Sequence, residues 1–129
     1  MYILKMNLMK KIISTAFLLV ISASANMLSA QTQTLSKAQM QAIQSDNVAS
    51  FKKNFSKADY NKCFPLKDET FSALGFSSLY GRNNIVKFLL DNQADVNKEC
   101  NGKTPLALAK LGKKEQTVQL LLQQGATNN

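Results

Sequence analysis

The sequence predicts an all-α fold: a short α-solenoid of about three helix-turn-helix repeats with finger loops, preceded by a cleavable signal helix. Three observations predict it. Gly102 to Ala126, GKTPLALAKLGKKEQTVQLLLQQGA, reads as two short helices separated by a Gly-Lys-Lys break. Ser72 to Asn97 repeats that plan 32 residues upstream without a gap. Near the N-terminus an apolar run, Ile12 to Ile21, follows Lys10-Lys11 and precedes small residues, the layout of a secretory signal. Residues 1–30 are therefore read as a signal peptide. Residues 31–129 are read as the repeat domain, with repeats at about 35–66, 67–98 and 99–129.

The apolar run is too short to cross a bilayer, which takes about 20 apolar residues. Two small-residue sites follow it, Ala23-Ser24-Ala25 and Leu28-Ser29-Ala30. The second is favoured because a polar start, Gln31-Thr32-Gln33-Thr34, comes next. The alternative is a buried or membrane-anchoring helix. The first cysteine is Cys63, so a lipid anchor on a cysteine at the cleavage point is not expected.

A degenerate repeat begins near Leu35. Met40, Ala42 and Ile43 give one short helix, Asp46-Asn47 interrupt it, and Val48, Phe51 and Phe55 give the next. Lys52, Lys53 and Lys57 lie at outward positions. A terminal repeat needs a polar outer face because nothing covers it; a dedicated anion site is the alternative. Lys62 to Phe71, KCFPLKDETF, is then a finger loop longer than its counterpart, Lys98 to Lys103. Pro65 forbids helix there. Phe64, Leu66 and Phe71 either pack under this loop or await a partner.

In the second repeat Ser72 takes the capping place that Thr104 holds in the third. A hydroxyl there accepts from a backbone N–H that has no partner within the helix. Pro105 follows at the first helical position, where its missing N–H costs nothing. Val86, Leu89 and Leu90 match Val118, Leu121 and Leu122, apolar at i, i+3 and i+4 on one helix face. Gly125 ends the last helix, as glycine does in left-handed conformation. Gln116, Gln119, Gln123 and Gln124 make that helix more polar than its counterpart, so the final repeat reads as its own cap.

The period and the Thr104-Pro105-Leu106 start, with Ala94-Asp95-Val96-Asn97 and Gly125-Ala126, resemble the ankyrin repeat, which runs ~33 residues as a β-turn plus two helices. The histidine usual after T-P-L in that family is Ala107 here and Gly75 one repeat earlier, and the second repeat starts Ser72-Ala73. That histidine ties turns together, so a looser stack is expected. The resemblance implies a protein-binding module in which finger turns and the ends of first helices grip a partner. Carried over, this names Asp68, Glu69 and Phe71 in the first finger, and Asn101 and Lys103 in the second. It names Leu79, Tyr80 and Leu111 at the ends of first helices, with Gln44 and Ser45 in the same place in the first repeat. Tyr80 is the leading anchor, tyrosine being enriched among residues that dominate interfaces. The alternative is that Leu79 and Leu111 complete the core and only Tyr80 is exposed. The resemblance also puts Cys63 and Cys100 in successive finger loops. A disulfide is expected if the longer first loop folds towards the second, since the bond needs Cα atoms within about 7 Å. Two unpaired thiols are the alternative.

Composition excludes several chemistries. The chain has no histidine, so a Ser-His-Asp or Cys-His arrangement cannot be built. Two cysteines 37 positions apart do not make a zinc site. Five scattered glycines form no phosphate loop. Asp68-Glu69, the one adjacent carboxylate pair, falls on a solvated loop. No enzymatic activity and no cofactor are expected. Net charge is +8; with Lys5, Lys10 and Lys11 set aside it is +5. No aromatic residues interleave with a basic stripe, so no nucleic acid is expected either. No stable membrane span is expected after signal cleavage. The partner is an unknown protein and the oligomeric state is open. Two further readings stand beside plain protein binding: an immunity-type or regulatory inhibitor of a partner enzyme, and an envelope component binding anionic surface polymers. The expected location is periplasmic or secreted. N-terminal sequencing of the exported chain should give a start near Gln31; an intact Met1 in a soluble cytoplasmic protein would overturn this assignment.

Overall fold

The structure, a computed structural model, describes residues 34–128. The expected signal segment and the processed start at Gln31 lie outside the described residues. Among the described residues the order is α1 (Lys37–Gln44), α2 (Val48–Asn54), β1 (Phe64–Leu66), β2 (Glu69–Phe71), α3 (Ala73–Leu79), α4 (Asn83–Asp91), α5 (Pro105–Leu111) and α6 (Glu115–Gln123). This is a helical repeat fold with two layers. The first helices α1, α3 and α5 pack side by side, and α2, α4 and α6 pack behind them.

Local chemistry starts each first helix. Ser36 and Gln39 form a reciprocal capping box at α1, two otherwise orphaned N–H groups satisfied at once. The Ser72 hydroxyl accepts from Gly75 N–H at 2.9 Å and Thr104 from Ala107 N–H at 3.2 Å. Pro105 sits at the first position of α5. Asn47 caps α2 by accepting from Ser50 N–H at 3.0 Å. The helices α4 and α6 differ. Their N-caps are Arg82 and Lys114, which make no side-chain capping bond.

One core runs through the stack. Its first-repeat end is aromatic: Phe51 and Phe55 stack at 4.4 Å, and Tyr60, Phe64 and Phe88 meet them edge-on or tilted. Leu74, Ile85, Leu89, Leu106 and Leu121 continue it in fully buried positions. Adjacent repeats approach so closely that side chains are excluded at two points. A Cβ on Gly75 would meet Leu108 Cδ1 at 3.0 Å, and a Cβ on Gly112 would collide with the Leu79 carbonyl oxygen.

Polar bonds also cross from repeat to repeat. Asp95 N–H donates to Asn61 Oδ1 at 2.8 Å, and Thr127 N–H donates to Asn97 Oδ1 at 3.0 Å. Asp46 accepts from the N–H groups of Asn84 and Ile85, so the first repeat caps α4 in the second. These contacts tie neighbouring repeats through groups other than the family's histidine.

Three expectations change. The chain is not all-α: the first finger is an antiparallel hairpin, with Phe64 opposite Phe71 and Leu66 opposite Glu69. Its turn is Lys67-Asp68, with Lys67 at φ 57°. The alternation of Phe64, Leu66, Glu69 and Phe71 around a two-residue turn is what permits it. Second, Leu122 is not in the core. It is 39% exposed, while Thr117 is buried and its hydroxyl donates to Asn83. Third, the last repeat, expected to serve as its own cap through a more polar last helix, leaves Leu111 as well as Leu122 exposed. Their counterparts Leu79 and Leu90 are partly covered; among the described residues nothing follows to cover Leu111 and Leu122.

The close approach at Gly112 makes a direct test. Its backbone is right-handed, φ −77°, so alanine fits the conformation and fails only on space. Gly112→Ala is expected to destabilise by about 1–3 kcal/mol, seen as a lower melting temperature. An unchanged melting temperature would mean that the repeats separate easily there.

Candidate functional site

The sequence-named residues divide into two groups at opposite ends of the first helices. The finger group starts from the hairpin. Glu69 on β2 accepts from Asn101 Nδ2 at 2.7 Å and from Lys103 Nζ at 3.3 Å. Asn101 and Gly102 both have positive φ, 55° and 74°, the requirement of a tight Asn-Gly turn. That turn closes between Cys100 and Lys103 and aims Asn101 at Glu69. Three residues named for a partner are therefore joined to one another. Asp68 stays exposed at the hairpin tip.

Cys63 and Cys100 form a disulfide with Cα atoms 5.7 Å apart. Cys63 is exposed and Cys100 buried. The bond fixes the base of the first finger to the second. Closing a loop across 37 positions removes on the order of 4 kcal/mol of chain entropy from the unfolded state. The fingers thus form one unit, held by a covalent bond and a polar triad.

The second group lies on α3 and α5. Phe71 is half-buried on Phe76, ring centroids 5.5 Å apart, and Phe76 meets Tyr80 at 5.0 Å. These three rings run from the hairpin down α3. Phe76 is buried and Tyr80 is 43% exposed, so the ladder begins in the finger and ends in solvent. Leu79 is half-buried beneath the next repeat, while Leu111, one repeat on, is 65% exposed. The two open alternatives therefore split: Leu79 belongs mainly to packing and Leu111 to the surface. Gln44 and Ser45 are exposed at the end of α1, with the Ser45 hydroxyl donating to Ala42 O. Phe64 is buried and Leu66 packs against the core, so these two pack under the loop.

Sequence reading passed over Arg82, Lys113 and Lys114. They stand in the helix–helix turns directly after Tyr80 and Leu111. The repeat alignment held the signal, since Arg82 falls on Lys114 at the same 32-residue shift. It also passed over Asn61 and Asn97 as repeat ties, though both end the echoed Ala-Asp-x-Asn stretches.

Among the described residues no group of three or more His, Cys, Asp or Glu is placed to hold a metal ion. Among them, too, no helix is long and apolar enough to cross a membrane. The arrangement offers surface contacts: an aromatic and an aliphatic side chain on a rigid frame, with fingers whose polar groups are already engaged.

The family model for ankyrin repeats, three copies, matches residues 39–129. No curated protein matches the chain.

Hydrogen bonds from Asn101 and then Lys103 hold the Glu69 carboxyl below the usual glutamate range. A depressed carboxylate supports the fold above its unfolded pKa and loses that support as pH falls through the folded value. The finger contact should therefore be complete at neutral pH and release only under acid. NMR of the Asn101 side-chain amide should show this step, and Glu69→Gln should abolish it. A step near neutral pH would contradict the assignment.

Proposed function

The chain belongs to the ankyrin repeat family, and from that premise we propose that it is an exported module that binds a protein partner through the exposed ends of its first helices and its fingers. Ankyrin repeats are generally protein–protein interaction modules. One observation carries the reading for this chain. Tyr80 and Leu111 are large, apolar and exposed at corresponding ends of adjacent first helices. Full burial of such a side chain is worth about 1.5–3 kcal/mol; this chain forgoes only the exposed share of it in isolation, and that share would be recovered against a partner. Tyr80 is also braced by Phe76, so little rotamer freedom is lost on contact, and rigid aromatic anchors dominate interfaces.

Export is supported by Lys10-Lys11, the apolar run after them and the small residues beyond. The Cys63–Cys100 disulfide suits an oxidising compartment. We place the protein in the periplasm or outside the cell. An immunity-type or regulatory inhibitor is a special case of the same binding mode. Binding to anionic surface polymers draws on Lys52, Lys53 and Lys57, which are exposed in the first repeat. The two modes rely on different side chains. Catalysis has no support in the residue set.

The partner should be recovered from the envelope extract of the source cell on the immobilised chain, identified by mass spectrometry and titrated. Tyr80→Ala combined with Leu111→Ala should weaken binding by ~2 kcal/mol or more, beyond any fall in melting temperature from losing the Phe76–Tyr80 contact. Retained affinity would place the binding site elsewhere. Affinity lost only on replacing Lys52, Lys53 and Lys57 would favour the polymer reading.

A further inference from the structure

We propose that the two helix–helix turns after α3 and α5 form one docking ridge for an acidic protein segment that also carries an apolar side chain. The inference rests on the protein-binding reading and narrows its partner to one chemistry.

The turns are one surface. Gly112 of the second abuts the Leu79 carbonyl of the first, and the Lys114 stem lies across Gly81, leaving no room for a side chain there. Gly81 has φ 66° and its counterpart Lys113 φ 56°, so the two turns share one left-handed conformation, which glycine adopts most readily. Thr117 and Asn83 side chains bond behind the turns, as do Gln116 and Asn83. Tyr80 and Leu111 stand at the front of this double turn, both exposed.

Its cations outnumber its acids. Arg82, Lys113 and Lys114 follow the two apolar anchors, and among the described residues none of them has a carboxylate within salt-bridge distance. The ion pairs among the described residues are Lys62–Asp59 and Lys103–Glu69, both on the finger side. The nearby acids are Asp46, which accepts from the N–H groups of Asn84 and Ile85, and Glu115 in the first turn of α6. They are two charges against three.

The cations also sit where helix electrostatics disfavour them. Arg82 and Lys114 are the N-caps of the nine-residue helices α4 and α6 and make no capping bond. The N-terminal end of a helix is positive and favours anions. The same choice occurs twice, at equivalent repeat positions, and among the described residues neither side chain gains a carboxylate partner in return. A local preference set aside without an ion pair points to a role outside the fold. The cations outnumber the acids of the turns and leave a positive potential beside two apolar anchors. A segment of Asp or Glu flanking an aromatic or aliphatic residue complements both.

A phage-displayed random peptide library selected on the intact, oxidised chain tests this. The expected result is enrichment of peptides with two or more acidic residues beside an aromatic or leucine. A synthetic copy of the best peptide should lose about tenfold or more in affinity against Lys113→Glu/Lys114→Glu, and similarly against Tyr80→Ser/Leu111→Ser. Lys113→Gln/Lys114→Gln serves if the charge reversal fails to fold, with melting temperatures checked for every variant. Enriched peptides of neutral or basic character would overturn the proposal and leave protein binding standing. Unchanged affinity in these variants would do the same. Loss to the lysine changes alone, with dextran sulfate competing equally, would overturn it in favour of a polyanion site. Enrichment of no peptide would sink the protein-binding reading itself.

Discussion

The stack depends on how closely two neighbouring repeats approach at the ends of their first helices. A helix pair of this size buries one face within itself and leaves the other to its neighbour. Here that second face closes because side chains are missing where the backbones meet. Gly75 leaves space for Leu108, and Gly112 lets α5 end against the Leu79 carbonyl. Once those distances are set, Leu106 and Leu121 fall into one continuous core with Leu74 and Leu89. The Asn61 and Asn97 side chains then reach the backbone of the following repeat at 2.8 and 3.0 Å. Burial and directional bonding agree on one spacing, which is what gives so small an array a single register.

The same spacing decides what the fingers can do. It brings the long first hairpin to the second turn, so Cys63 meets Cys100 and Glu69 meets Asn101 and Lys103. Polar groups that look free in a loop are engaged in holding two loops together. An exposed carboxylate pairing of this kind contributes little to stability. Its effect is positional, and the disulfide makes it durable. The fingers become a fixed rim, with Asp68 exposed at its tip and the aromatic ladder descending from Phe71.

At the other end of the first helices the balance is reversed. The turns after α3 and α5 carry apolar groups without cover and cations without partners. In the core, agreement between local preference and global structure is close: Ser36, Asn47, Ser72 and Thr104 all cap as their sequence positions suggest. The disagreement is concentrated at Arg82 and Lys114. Satisfied local preferences and unsatisfied ones are thus separated along one helix, with the close backbone approach at Gly112 bordering both.

Period and helix starts were legible in the sequence alone. They rest on local chemistry: a hydroxyl before a helix, a proline at its first turn, apolar spacing at 3.6 residues. The binding-module class came with the resemblance to ankyrin repeats that this pattern carries. Tyr80 and Leu111 were legible too, because large apolar side chains at a helix end stand out against the repeat. The exposure of Leu111 was not. Whether Leu79 or Leu111 is covered depends on a neighbouring repeat, and among the described residues only Leu79 has a following repeat packed beside it. The hairpin at Phe64–Leu66 and Glu69–Phe71 needed pairing across a turn, and the helix count of a repeat concealed it. The engagement of Glu69 with Asn101 and Lys103, and the bond between Cys63 and Cys100, needed the distance between fingers. That distance is a property of packed backbones, set by how near Gly112 allows two repeats to come, and no stretch of sequence contains it by itself.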